Sequence, residues 1–451
     1  MKIQKQVPLT EGPILKSLTG LAVPIMISSF LGTLYNITDM AWIGLLGSKA
    51  VAAVGVGGMY VWLSQGLASL ARMGGQVHVA QCLGRGDKEQ AHRYAKTAVQ
   101  LSILLGLAFA AVSLLFTDPL VAFFKLEGAK TILDAKIYMR ITCGLILFSF
   151  LNLTLTGLYT AQGDSKTPFV ANFIGLLINL LLDPLLILGV GPFPRIEVAG
   201  AAVATVSAQF VVMFVMMVGV FRSKKEENVL KGIRLFEPFS KEELGNICKI
   251  GGPTAIQGMV YCMISMVLTR MVAAFGAEAI ATQRVGGQIE SVSWNTADGF
   301  AAALNAFVGQ NYGAKKMDRV QKGYRISFWT VAIWGALIML AFIIFPGPIA
   351  GVFFHEEKAM EIAISYLIII GFSEAFMCVE LMTIGALSGL GKTKLCSVIS
   401  ITATSMRIPL AMVLSRTSLG LDGIWWALTL TSVAKGIIFY LTFRYQMHEK
   451  C

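Results

Sequence analysis

Residues 94–116 read YAKTAVQLSILLGLAFAAVSLLF, and Lys96 is the only charged residue in this stretch. A helix of about 20 apolar residues is long enough to cross the hydrocarbon core of a bilayer. Similar stretches recur along the chain, whose 451 residues are 55% hydrophobic and 14% charged, whereas soluble domains carry about 25% charged residues. The sequence therefore predicts an all-α polytopic membrane protein.

The apolar stretches predict twelve transmembrane helices, which place both termini on the same side of the membrane. The loops divide into two alternating classes. Lys and Arg are concentrated in the loops at 84–96, 163–168, 221–243, 313–325 and 391–394, whereas acidic residues match or outnumber basic ones at 191–200 and 354–360. The positive-inside rule then predicts cytoplasmic termini and a cytoplasmic central loop in a bacterial plasma membrane protein. The predicted spans are 14–45, 51–81, 94–116, 132–158, 168–190, 199–221, 244–274, 280–311, 324–345, 361–388, 395–415 and 422–444.

The formal net charge of +11 belongs to these basic loops, so we assign it to anionic lipid headgroups rather than to nucleic acid. The seven cysteines form no CxxC pair and have no histidine at metal-ligand spacing, which argues against a zinc site or a disulfide framework. The chain also contains no Walker A motif and no hydrolase arrangement of Ser, His and Asp. These absences argue against ATP-driven transport and against an enzyme.

The second half of the chain repeats the first. GSKAVAAVGVGG at 47–58 aligns with GAEAIATQRVGG at 276–287, an offset of 229 residues. GLYTAQGDSKT at 157–167 aligns with GALSGLGKTKL at 385–395, an offset of 228. The repeat predicts two six-helix bundles around a central cleft, with an N-terminal half at 1–222, a linker at 223–243 and a C-terminal half at 244–451.

Taken together, several motifs resemble the multidrug and toxic compound extrusion (MATE) family over essentially the whole chain. They are LAVPIMISSFLGTLYNITDMAWIG (21–44), LGRGDKEQAHR (83–93), GLYTAQGDSKTP (157–168), NLLLDPLLILG (179–189) and QIESVSWNTADGFAAALNAFVGQNYGA (288–314). The resemblance implies an antiporter that exports amphipathic, often cationic drugs and metabolites by alternating access, driven by H⁺ or Na⁺ flow, with no cofactor. We expect it to function as a monomer in the lipid bilayer.

The first half contains polar residues within predicted spans. Asp39 lies deep in the first span, where an ionised carboxylate costs roughly 2.5 to 3.5 kcal/mol, and it shares a helical face with Tyr35 and Asn36. Asn179 and Asp183 are one turn apart in the fifth span. Pro184 follows, which would free the carbonyl oxygen of the residue four positions earlier. A structurally paired Asp39 and a simple proline bend remain the alternatives.

In the MATE resemblance, the acid of the first span, the Asn and Asp of the fifth and a Thr of the sixth form the cation site of the N-terminal half. This implies a coupling site for H⁺, or for Na⁺ as a bound metal ion, made by Asp39, Asn179, Asp183 and Thr205. Asn152 is a weaker candidate for the same cavity, because a lone Asn in a span more often joins helices.

Polar and aromatic residues of the second half are candidates for the substrate cleft. Glu290 and Trp294 share one face of the eighth span and would suit a lipophilic cation, although Arg270 or Arg284 could instead form a salt bridge with Glu290. Some MATE members carry an acid where this chain has Gln257, so an ion site in this half is in doubt. Of Glu374 and Glu380, which face different ways, we expect at most one to face the cleft. The predicted cleft residues are Tyr35, Asn36, Asn152, Gln257, Tyr261, Glu290, Trp294, Asp298 and Glu380.

The nearest alternative function is a lipid-linked precursor flippase of the same superfamily, for which we expect a more cationic cleft and often extra spans. A channel is less compatible with the sequence, because acids scattered over two dissimilar halves do not resemble repeated filter loops.

Overall fold

The structure is a computed structural model that describes residues 6–189, 194–223, 228–235, 237–238, 240–354 and 357–448. These residues form α-helices and contain no β-strand. The helices are α1 (Ile14–Gly44), α2 (Ser48–Arg85), α3 (Lys88–Leu115), α4 (Thr117–Ala122), α5 (Ala129–Gly144), α6 (Leu147–Ala161), α7 (Lys166–Ile187), α8 (Glu197–Arg222), α9 (Lys241–Ala273), α10 (Ala277–Gly313), α11 (Met317–Ile344), α12 (Pro346–Gly351), α13 (Glu357–Gly371), α14 (Glu374–Gly389), α15 (Thr393–Ser405), α16 (Arg407–Leu414) and α17 (Leu421–His448).

The predicted membrane-spanning fold is confirmed. Within the described ranges, nine spans, one of them formed by α15 with α16, are each long and apolar enough to cross a bilayer. Two more are bent pairs, α5 with α6 and α13 with α14. The twelfth span is α10, whose 37 residues include the charged side chains of Arg284, Glu290 and Asp298.

Two predicted spans, 132–158 and 361–388, are not continuous helices. The chain bends by 43° between α5 and α6 and by 50° between α13 and α14. A glycine ends the first helix of each pair, and a neighbouring helix approaches it closely. A Cβ added to Gly144 would lie 3.2 Å from the Leu114 side chain, and one added to Gly371 would lie 3.1 Å from that of Phe342. Glycine permits both the close approach and the local departure from helical geometry.

One compact unit comprises residues 1–7 and 27–258. Within it, α2 packs against α3, α5 and α6, while α7 packs against α8. The first part of α9 also belongs to this unit, where Gly251 lies directly against the backbone of Leu70. A side chain at position 251 would collide with that backbone, so glycine is needed for this helix contact.

The described part of the linker packs against this unit. Val229 and Leu230 are buried in an apolar cluster with residues of α3, α6 and α8. The Gln100 amide of α3 donates to the carbonyl oxygens of Leu235 at 2.9 Å and Glu237 at 2.7 Å. Lys96 forms an ion pair with Glu237 at 2.8 Å, and this hydrogen bond lowers the pKa of Glu237. Residues 224–227, 236 and 239 of the predicted linker lie outside the described residues.

The other compact unit comprises residues 8–26 and 259–451. Here α14 packs against α10, α11 and α17. The segment before α1 is held by Arg319, which donates to the carbonyl oxygens of Glu11 and Gly12 at 2.8 Å, and by Asn311, which donates to that of Leu9 at 3.0 Å. The compact units divide the chain differently from the predicted sequence halves, which stay a prediction.

Candidate functional site

A cluster of polar side chains lies inside the unit formed by 1–7 and 27–258, where α1, α7 and α8 meet. The hydroxyl groups of Tyr35 and Thr205 are 2.8 Å apart. The Asn179 amide nitrogen donates to Asp183 Oδ1 at 3.2 Å and lies 3.5 Å from the Tyr35 hydroxyl oxygen. Asp39 interacts electrostatically with Asp183. The structure thus brings together the four predicted coupling residues and Tyr35.

Both carboxyl groups of this cluster have an oxygen atom that is unsatisfied within the described residues. Asp39 is 8% exposed and Asp183 is fully buried. Asp39 Oδ1 and Asp183 Oδ2 are buried and have no hydrogen-bond partner. A buried carboxylate without a partner is costly, and binding of a proton or a cation relieves that cost. The geometry is therefore suited to reversible binding of a positive charge.

Tyr138 of α5 is a further member of the cluster that sequence reasoning missed. Its hydroxyl group interacts with Thr205, Asp39 and Asp183. Its ring lies directly against Gly57 of α2, where a Cβ atom would overlap it. The internal repeat held a signal for this residue, because the same contact recurs in the other half of the sequence between the Tyr366 ring and Gly286.

The side chains that surround the two acids provide only oxygen atoms and one amide. Asp39, Asp183, Asn179, Thr205 and Tyr35 carry carboxylate, amide and hydroxyl oxygens, which are the ligand type that a hard cation requires. No group of three His, Cys, Asp or Glu residues with metal-binding geometry occurs in the part of the chain that the structure describes. The donor set thus fits H⁺ or Na⁺ and is unlike a transition-metal site.

Comparison with protein families identifies the chain. A family model described as MatE matches residues 24–185 and 253–413. The chain belongs to the MatE family. The second match begins 229 residues after the first, which is the offset of the internal repeat. Asp39, Asn179 and Asp183 lie within the first match, whereas Thr205 lies outside both. As a MatE member, the chain is a multi-pass membrane transporter rather than an enzyme.

Relatives of this MatE chain extend over nearly its full length. It is 30% identical over 430 residues to the probable multidrug resistance protein NorM of Thermotoga maritima, covering 93% of this chain and 90% of the relative. It is 25% identical to an FAD transporter of Shewanella oneidensis, covering 96% and 95%. A solved structure of an outward-facing multidrug resistance MATE family transporter has 24% identity and a TM-score of 0.91, covering 100% of this chain and 99% of that one. This last likeness supports the fold.

The remaining predicted cleft residues of the MatE chain have varied surroundings. The Asn152 amide nitrogen donates to the backbone oxygen of Gln209 at 2.9 Å and to its side-chain oxygen at 2.7 Å, joining α6 to α8. The other positions differ in exposure. Tyr261 and Trp294 are 44% and 41% exposed, Asn36 is exposed, and Gln257 and Asp298 are half-buried.

The unit formed by 8–26 and 259–451 contains its own buried acids. Glu290 accepts a hydrogen bond from the Tyr366 hydroxyl group, and it interacts with Arg407 and Glu374. Neither Arg270 nor Arg284 forms an ion pair with Glu290 among the described residues. Both carboxyl oxygens of Glu374, which is fully buried, have no hydrogen-bond partner there.

Glu380 is paired with a residue that sequence reasoning did not consider. Lys435 Nζ of α17 lies 2.7 Å from Glu380 Oε1, and the two side chains are 7% and 6% exposed. Glu380 therefore has a fixed counter-charge within its own unit. No such basic partner forms an ion pair with Asp39 or Asp183 among the described residues.

Proposed function

We propose that the chain is a cation-coupled antiporter that exports amphipathic, often cationic drugs and metabolites. The observation that carries this proposal is the pair of buried carboxyl groups, Asp39 and Asp183, each with an unsatisfied oxygen atom. Both belong to apolar spanning helices, where such groups are costly and usually functional. The printed names of the relatives, which include multidrug resistance proteins, support an exporter.

The proposed mechanism depends on two states of one site. With the site charged and empty of cations, Asp39 and Asp183 repel each other, and Asn179 neutralises only one oxygen of Asp183. Proton uptake by one carboxyl group removes that repulsion and allows a new hydrogen bond within the cluster. Since Tyr35, Tyr138 and Thr205 join the acids to α1, α5 and α8, the change in charge alters the packing preference of these helices.

Sodium is the other candidate for the coupling ion. Asp39, Asn179, Asp183 and Thr205 would hold it through oxygen atoms, and it would supply the same neutralising charge as a proton. Oxygen-rich sites made of carboxylate, amide and hydroxyl groups serve either cation, so ion identity has to be measured.

The substrate is proposed from chemistry and from the relatives. Aromatic and methionine side chains with a few acids favour lipophilic cations of varied shape. The Shewanella oneidensis relative is named an FAD transporter, which makes an anionic dinucleotide the second substrate candidate. The names of the relatives give no support to a lipid-linked precursor flippase.

Efflux from everted vesicles tests the proposed function. We expect a fluorescent organic cation to move when either an inward proton gradient or a sodium gradient is imposed separately, and several unrelated cationic dyes to be moved. The control is the same host without the transporter. Movement of FAD alone, or of a single lipid-linked substrate, would contradict the proposed polyspecific export.

We also propose a bacterial plasma membrane location, a functional monomer and cytoplasmic termini. Single cysteines in a cysteine-free background test the topology at exposed positions between spans. We expect Asp87, Lys166 and Lys315 to be labelled only from the cytoplasmic side, because they belong to the basic loops. Glu127 and Arg416 should be labelled only from outside. The opposite pattern would overturn the orientation. Residues 449–451, which end the predicted cytoplasmic C-terminus, lie outside the described residues.

A further inference from the structure

An open groove of about 570 Å³ lies between α11 and α17. Its floor is aromatic. The Tyr324 ring of α11 stacks on the Phe443 ring of α17, with the ring centroids 3.6 Å apart. Phe328 and Tyr440 lie 5.1 Å apart in the same way across the two helices. The groove therefore presents apolar ring surfaces at the end of the spans where the basic α10–α11 connection lies.

Two guanidinium groups border this groove, one from each helix. Arg325 and Arg444 are exposed, and Arg444 lies 6.0 Å from the Tyr440 ring centre. Neither forms an ion pair within the described ranges, in contrast to Lys435, which is paired with Glu380. Guanidinium groups at the edge of an apolar groove favour a ligand with an anionic, phosphate-like group.

The internal repeat shows what covers the corresponding surface in the other unit. Helices α3 and α11 both contain 28 residues and begin 229 residues apart, so that Lys96 corresponds to Arg325. Lys96 is neutralised by Glu237 of the linker. The linker residues Val229 and Leu230 fill the adjacent apolar surface.

The matched positions show how the two surfaces differ. At the same offset, Tyr324 and Phe328 correspond to Ala95 and Val99, which pack in the cluster that includes the linker. Small side chains thus accompany a cover provided by the chain, and large aromatic ones accompany an open groove. No described segment of the chain covers the α11–α17 groove.

We propose that the α11–α17 groove binds one anionic phospholipid. Its phosphate group would contact Arg325 and Arg444, and an acyl chain would lie along Phe328 and Tyr440. This occupant combines a negative charge with an apolar body, as Glu237 and Val229 do on the corresponding surface. The proposal depends on the membrane location of the chain and is independent of the coupling ion. Basic pockets between membrane helices commonly hold anionic lipid headgroups.

Lipid titration of the purified full-length protein, followed by native mass spectrometry, tests the site. We expect phosphatidylglycerol to bind more tightly than phosphatidylcholine. Arg325→Gln and Arg444→Gln should each weaken phosphatidylglycerol binding about fivefold, and the double variant about 25-fold. Lys322→Gln is the matched control, because it removes an exposed positive charge from the same turn region of α11.

A second measurement locates the bound lipid. Trp329 lines the groove and is 57% exposed. Phosphatidylglycerol with a nitroxide on its acyl chain should quench tryptophan fluorescence less in Trp329→Phe than in the wild type, and inorganic phosphate should not displace the lipid.

Three outcomes would overturn the proposal. One is wild-type lipid affinity in the double arginine variant, once its melting temperature shows that it is folded. Another is an equal loss of affinity in the Lys322→Gln control. The third is a change in oligomeric state in the arginine variants with lipid binding unchanged, which would make a second copy of the chain the occupant.

Discussion

Asp183→Asn is expected to abolish gradient-driven efflux and reduce it to the level of vesicles without the transporter. The Asp183 carboxyl group is fully buried, with one oxygen bonded to Asn179 and the other unsatisfied. An amide has the same shape but cannot exchange a proton or supply a negative charge for a cation. Asp39→Asn should have the same effect, because Asp39 interacts with Asp183 in the same cluster. Substrate binding, measured by fluorescence quenching, should change less than transport.

The control for this experiment is Asp318→Asn, which replaces an exposed acid in the first turn of α11. It should keep wild-type efflux at equal expression. Wild-type gradient-driven efflux in both Asp39→Asn and Asp183→Asn would contradict the coupling site. Loss of folded protein in these variants would show in the melting temperature and would redirect the test to Tyr138→Phe, which removes one hydroxyl contact from the same cluster.

Lys435→Met is expected to destabilise the protein by about 3 to 5 kcal/mol, because it leaves Glu380 as an uncompensated buried charge. The two side chains are 2.7 Å apart and almost fully buried. The double variant Glu380→Gln/Lys435→Met should recover most of this loss, since no unpaired charge then remains. The measurement is the unfolding transition of the purified protein in detergent, followed by tryptophan fluorescence.

Arg416→Gln serves as the surface control for this pair, because Arg416 is exposed in the α16–α17 connection and forms no ion pair among the described residues. A double variant that is as unstable as Lys435→Met would show that the ion pair is not the cause. The pairing also affects how Glu380→Gln is interpreted. We expect it to damage coupling less than Asp183→Asn, provided that transport is compared per folded molecule.

The number and placement of the spanning helices could be predicted because long apolar stretches have few alternatives in a bilayer. The bends between α5 and α6 and between α13 and α14 could not. No proline marks either bend, and the residues on both sides are as apolar as the rest of the span. The bends coincide with Gly144 and Gly371, where a neighbouring helix approaches closely, and such tertiary contacts leave no local sequence pattern.

The candidate site was predictable to the extent that its members are costly in a membrane. Asp39 and Asp183 stand out for this reason, and helical spacing links Asp183 to Asn179. Tyr138 did not stand out, because tyrosine is ordinary within a span. The partner of Glu380 was also hidden, since Lys435 is 55 residues away in the sequence and belongs to a different helix.

The contacts of the linker have a practical consequence for dividing or tagging the protein. Residues 228–238 are part of the hydrophobic and ionic surface of their own unit, through Val229, Leu230 and the Lys96–Glu237 pair. A protease site or a fluorescent reporter inserted there would uncover apolar surface and release a charged partner. The same insertion between Pro238 and the start of α9 at Lys241 would spare every one of these contacts, so a search for split or reporter-bearing variants should begin at that junction.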